Sequence, residues 1–186
     1  MQLLLQILLA LVTARPDRVQ HRVMFALHHI ADDARLHEVA RDLPDVAAPE
    51  MAANFVDAAI ALQTPRVPAS LLVALAWGES RFDLNAQPAC GVMQVYPHDI
   101  YEPPSACALW RRDLRAGVRA GVREIEMMLA DRRVHGDMRT ALLYRACGNS
   151  AFDGSCDEKK YVWVTDAMTR WQYISARATR DLLPGV

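Results

Sequence analysis

Apolar residues recur along almost the whole chain at spacings of three and four, the period of one helix face. No run shows the strict alternation with β-branched enrichment that marks a strand, so the pattern predicts an all-α fold. Pro16 suits the first turn of a helix whose stripe runs through Val19, Val23, Leu27, Ile30 and Ala34 and ends before Pro44. Pro49-Glu50 opens a second helix with Phe55, Val56, Ala59 and Ile60 on one face. Past Thr64-Pro65-Arg66-Val67-Pro68 a third runs through Leu71, Leu72, Leu75 and Ala76 toward Glu79. Residues 83–106 read as irregular, because Pro88, Gly91, Pro97 and the pair Pro103-Pro104 interrupt any period.

The second half is helical again. Leu114, Val118, Val122, Ile125 and Leu129 mark a stripe that holds Gly117 and Gly121 one turn apart. Each glycine costs about 1 kcal/mol relative to Ala in a helix interior, so the pair is expected to admit another backbone closely. Arg115, Arg119 and Arg123 exclude a membrane reading of the same spacing. Met138 to Ala146, a loop with Gly148, Asn149 and Gly154, and a helix with Tyr161, Val164, Met168 and Trp171 on one side complete the chain. There is no internal repeat. A division near residue 45 separates an N-terminal helical segment, 1–45, from a domain at 46–186.

Met1 to Val12 is apolar but too short to span a bilayer, which takes about 20 residues. Val12-Thr13-Ala14 would suit a signal peptidase, although the basic leader is missing and Gln6 interrupts the run. The alternative is a buried first helix. The whole chain has 186 residues, 52% hydrophobic and 23% charged, which excludes a disordered tail. Lys and Arg number 21 against 22 Asp and Glu, a net charge of -1 that leaves no basic surplus for nucleic acid.

Four cysteines, Cys90, Cys107, Cys147 and Cys156, allow three complete pairings and fall in loops or at loop edges. Nearest-neighbour pairing would close two local loops, and the absence of a CxxC spacing argues against structural zinc. Two disulfides imply an oxidising destination such as the periplasm or an extracellular particle.

Candidate chemistry lies between Ala74 and Pro97. Glu79, near the end of an apolar helix with Leu75 and Phe82 at helical spacing, is poorly placed as a solvated charge. Desolvation there would favour the protonated form that a general acid needs, unless the carboxylate caps the following loop or pairs with Arg81. Ser80 lacks the G-x-S-x-G elbow of a serine nucleophile. His28-His29 with Asp32-Asp33 could form an i, i+4 metal pair, but no third ligand accompanies them, so a polar helix face is the expected role.

Glu79-Ser80-Arg81-Phe82, then Asn85-Ala86, then Gly91-Val92-Met93-Gln94-Val95 and Pro97 resemble the E-S-x-F...N-x-A...G-L-M-Q-x-x-P signature of soluble lytic transglycosylases, relatives of goose-type lysozyme. Ala141 to Gly148 is similar to the family's A-Y-N-A-G helix end, and Glu158-Lys159-Lys160-Tyr161-Val162 to its E-x-x-Y-V motif. The resemblance covers roughly residues 50–175, with the three blocks in order. The loop between Glu79 and Gly91 is shorter than usual and lacks the family's Ser-x-x-Gly-Ala element. Aligning Gly148 puts Arg145 where the family has Tyr, whereas treating Cys147 as an insertion puts Tyr144 there.

The resemblance implies a lysozyme-like helical domain that cuts the β-1,4 bond between N-acetylmuramic acid and N-acetylglucosamine in peptidoglycan. It implies Glu79 as the single acid and base, a 1,6-anhydro product, and no metal or organic cofactor. It implies substrate contacts for Ser80, Met93, Gln94, Tyr144, Glu158 and Tyr161, with Met93 as plain core, Tyr161 as a packing residue and Glu158 as a helix-start charge for the alternatives. Peptidoglycan glycan strands are the expected partner, and a secretion, conjugation or phage injection apparatus would fit beside them. The protein would then act in the periplasm or cell envelope, or from a phage particle. A hydrolytic lysozyme with Asp83 or Asp99 as second carboxylate is one alternative. A non-catalytic, glycan-binding component of an envelope-spanning or phage assembly is another.

Overall fold

The computed structural model describes residues 35–97 and 105–179. Met1 to Val12, the stripe from Val19 to Ala34, the pair His28-His29 with Asp32-Asp33, and Asp99 lie outside the described residues. The fold is all-α, with eight helices and no strand among the described residues. In chain order they are α1 (35–41), α2 (Pro49–Leu62), α3 (Ala69–Ser80), α4 (Ala106–Arg112), α5 (Leu114–Ala130), α6 (Met138–Cys147), α7 (Ser150–Asp153) and α8 (Glu158–Thr179). No helix among them is long and apolar enough to cross a membrane.

The sequence of α3, ASLLVALAWGES, is apolar on every side until its last turn, and a helix of that kind is stable only when surrounded. Leu71 through Ala76 are accordingly at most 1% exposed. Two elements cover most of α3: α2 and α8. From α8 come Val164, Ala167, Ile174 and Ala178, all buried at helical spacing. Of the two polar residues that α3 buries, Ser70 meets α8, accepting a hydrogen bond from Trp171 Nε1 at 3.0 Å. Leu36, Val39, Ala40 and Leu43, before residue 45, are buried in the same core as α3 and α8. Trp77 Nε1 also donates to the Pro44 carbonyl at 3.0 Å.

Amphipathic α5 starts at Asp113, whose carboxylate caps the Ala116 N–H, and α6 starts in the same way at Asp137, which accepts from Thr140 N. The glycines of α5 have separate uses. A Cβ on Gly117 would come within 3.1 Å of the Trp110 backbone carbonyl, the close approach expected from sequence. A Cβ on Gly121 would instead meet the side chain of Met93, with three of its atoms within 3.0 Å. Gly121 thus admits a side chain, not a backbone.

Two helices escaped the periodicity. One is α4, only seven residues long, with Trp110 its single buried side chain. The other, α7, is a four-residue turn inside the glycine loop that follows α6. Neither is long enough to carry a stripe.

Candidate active site

Glu79 stands where the apolar run of α3 ends. Arg81 (φ 53°) and Phe82 (φ 65°) then turn the chain through the left-handed region, which non-glycine residues adopt only when their surroundings hold them there. Here Phe82 is fully buried edge-on to Phe55, with ring centroids 5.4 Å apart, and the Arg81 carbonyl accepts from Ala47 N. The Ser80 hydroxyl joins the pieces. It lies 2.8 Å from the Val92 carbonyl and 3.1 Å from that of Ala76, and it accepts from Phe82 N at 3.1 Å. The side chain expected to touch substrate is therefore committed to the fold. Ser80→Ala is expected to cost about 1–3 kcal/mol, measured by urea unfolding, because it strands buried backbone groups.

The loop that follows is closed by an antiparallel bridge between Cys90 and Val95. Gln94 (φ 50°) organises it from inside: its Oε1 accepts from Ala89 N at 3.1 Å, and its Nε2 donates to the carbonyls of Ala86 (3.0 Å) and Gly91 (2.8 Å). Met93 is 1% exposed and points at Gly121, so its side chain is core. Its carbonyl, and that of Gln94, face the other way.

Both carbonyls receive Arg145, which α6 delivers to the same place. Its Nη2 donates to Met93 O at 2.7 Å and to Gln94 O at 3.2 Å. Nη1 donates to Glu79 Oε1 at 2.8 Å, and Nε to Glu124 Oε2 on α5 at 2.7 Å. The three side chains are 8% (Arg145), 9% (Glu124) and 19% (Glu79) exposed. Burial works against the guanidinium charge, but Glu124 and Glu79 together outweigh it and push Arg145 above its ordinary value. Around this trio opens a cleft of about 290 Å³, lined also by Pro88, Ala89, Gln94 and Tyr96 from the loop and by Lys160 and Trp163 from α8. The Arg145 guanidinium sits 5.7 Å from the centre of the Trp163 ring. Beside them Arg170 lies across Gly78, with its Nε buried and unpartnered among the described residues. Burial lowers its pKa, with Asp166 and Glu79 opposing and Arg81 adding to the effect.

No family model, curated protein or solved structure matches this chain.

Of the side chains picked from sequence, the structure brings Glu79 and Gln94 to the cleft. Tyr144 turns away from it, edge-on to Phe152 with centroids 5.0 Å apart, and accepts from Arg133 at 3.2 Å. Glu158 and Tyr161 are exposed on α8 and do not line the cleft, where Lys160 and Trp163 stand instead. Asp83 is exposed and accepts from Asn85 N at 2.8 Å, in a local turn. Arg81 is not the partner of Glu79; it donates to the Trp77 carbonyl. Glu124, Trp163 and Tyr96 are not marked by any of the sequence motifs, and Lys160 enters only as a spacer of the E-x-x-Y-V block. Glu124 did leave a signal there, a lone acid following Gly117 and Gly121 at spacings of four and three on a buried face. Among the described residues no three His, Cys, Asp or Glu side chains gather as a metal site.

Two disulfides frame the cleft. Cys90–Cys107 ties the loop to α4, and Cys147–Cys156 ties the end of α6 to the segment before α8. Cys90 adjoins Ala89 and Cys147 adjoins Ala146, both cleft residues. The first bridge spans 17 residues and should contribute about 3 kcal/mol by chain entropy, the second, spanning 9, somewhat less. Reduction is expected to lower the melting temperature and the activity together. Non-reducing peptide mapping checks the pairing, and melting unchanged by reductant would contradict the role assigned to the bridges.

Proposed function

We propose that this protein is a peptidoglycan lytic transglycosylase in which Glu79 moves every proton. The observation that carries the proposal is one carboxylate, rooted at the end of a buried helix, which keeps 19% of its side chain open to a cleft with aromatic and cationic walls. Sugar-cleaving sites need such a fixed, partly desolvated carboxyl and flat apolar faces for pyranose rings. Tyr96 from the loop and Trp163 from α8 supply aromatic rings to the cleft wall. The motif resemblance around Glu79 points the same way.

The steps balance without water. Glu79 gives its proton to the glycosidic oxygen and the C1–O bond breaks. The acetamido oxygen of the same sugar supports the cationic C1. The Glu79 carboxylate then takes the proton of the C6 hydroxyl as O6 attacks C1, forming the 1,6-anhydro ring and returning the enzyme to its starting state. No metal or organic cofactor enters these steps.

A hydrolytic lysozyme is favoured by one observation, the second carboxylate Glu124 in the same cleft. On that reading Glu124 would serve in the role expected of Asp83 or Asp99. Digestion of purified peptidoglycan in ¹⁸O-labelled water separates the two: the transglycosylase leaves label-free anhydro ends, whereas a hydrolase places one labelled oxygen on each new reducing end. Two disulfides support an oxidising site of action, in the periplasm or cell envelope or on a phage particle. A secretion, conjugation or injection apparatus remains part of the proposal only as the setting in which local wall cleavage is needed.

A further inference from the structure

We propose that Glu124 is a positioning residue that controls Glu79 through Arg145, a role that rests on reading Glu79 as the proton-transfer group. Every nitrogen of the buried Arg145 guanidinium is in use, one on each carboxylate and one on two loop carbonyls. Neither acid can take the whole cation. Two carboxylates share one guanidinium, so the charge each meets depends on the other. Glu124 is the more enclosed of the pair, held on α5, while Glu79 opens to the cleft. Glu79 is thus the carboxyl that a substrate can reach, and Glu124 holds Arg145 back from claiming it entirely. Two further cations stand near Glu79, Lys160 lining the cleft from α8 and Arg170, whose own helix neighbour is the acidic Asp166. They pull in the direction of Arg145, which makes the negative charge of Glu124 the counterweight.

The two charge-removing substitutions should act with opposite sign. In Glu124→Gln the whole of Arg145 falls to Glu79, the acid form is disfavoured, and the alkaline edge of the kcat profile moves down by about one pH unit with KM little changed. In Arg145→Gln the repulsion between the acids is unscreened, and the edge moves up. A residue that merely stabilised the fold would scale activity at every pH and leave the edge in place.

A second measurement is independent of catalysis. Glu79→Gln and Glu124→Gln each leave Arg145 one carboxylate, but the double variant leaves a buried cation with none. Its unfolding equilibrium constant should exceed the product of the single effects by about tenfold. Single effects that simply multiply, or an unmoved edge in an active Glu124→Gln enzyme, overturn the inference. A wild-type protein that cleaves no glycan, yet shows the tenfold coupling, counts against the proposed activity while the linkage among the three side chains stands.

Discussion

Replacing Glu79 with Gln is expected to abolish glycan cleavage and leave the fold in place. The amide is nearly isosteric and its oxygen still accepts from Arg145 Nη1, but it cannot cycle a proton. Positioned proton transfer contributes about 10²–10⁴-fold, and here one group performs two transfers, so the loss should reach or pass the upper end, about 10⁴-fold. Stability should change by no more than about 1–2 kcal/mol, because Arg145 keeps Glu124, its backbone acceptors and a neutral hydrogen bond to Gln. Release of soluble fragments from peptidoglycan, followed beside a thermal melt, checks both halves. A Glu79→Gln protein that folds and cleaves as wild type does would remove the enzymatic reading.

Arg145→Ala should have the largest effect on stability. Removing one partner from a buried ion pair typically costs about 3–5 kcal/mol, because the remaining charge is left without compensation. Here two carboxylates lose their cation, and the loop carbonyls of Met93 and Gln94 lose a donor. Against a total stability of about 5–15 kcal/mol, that loss decides whether the loop stays closed at all. Arg145→Lys should recover only part of it, since an ammonium group cannot reproduce a fork that serves two acids and two carbonyls in fixed directions. Urea unfolding of both variants provides the measurement, and an Arg145→Ala midpoint close to wild type would show that the trio contributes nothing to the fold.

The elements that position the cleft were legible wherever they were long enough to show a period. The all-apolar run before Glu79 read as a buried helix and is one, and the stripe of α5 set its buried face correctly. Glu79 was legible for the same local reason, an acid at the end of an apolar helix. Its partner was not. The pairing of Glu79 with Arg145 joins positions 66 residues apart, and that of Arg145 with Glu124 spans 21, distances over which periodicity carries no information. Sequence offered Tyr144 or Arg145 as alternatives at one helix end; neighbouring residues on a helix point about 100° apart, and here Arg145 faces the cleft while Tyr144 packs on Phe152. Ser80 and Met93 show how the fold uses side chains that a motif also marks. Polar or soft side chains inside a motif suggested substrate contacts, whereas backbone groups in the turn and the space over Gly121 claim them first.

Mass analysis of the soluble products from purified peptidoglycan, digested with wild-type protein and with Glu79→Gln, decides whether Glu79 drives anhydro-sugar formation. Disaccharide-peptide fragments are expected from the wild type alone, each lighter by one water than its hydrolytic counterpart because it ends in a 1,6-anhydro ring. Fragments with reducing ends, or the same products from Glu79→Gln, would contradict that role.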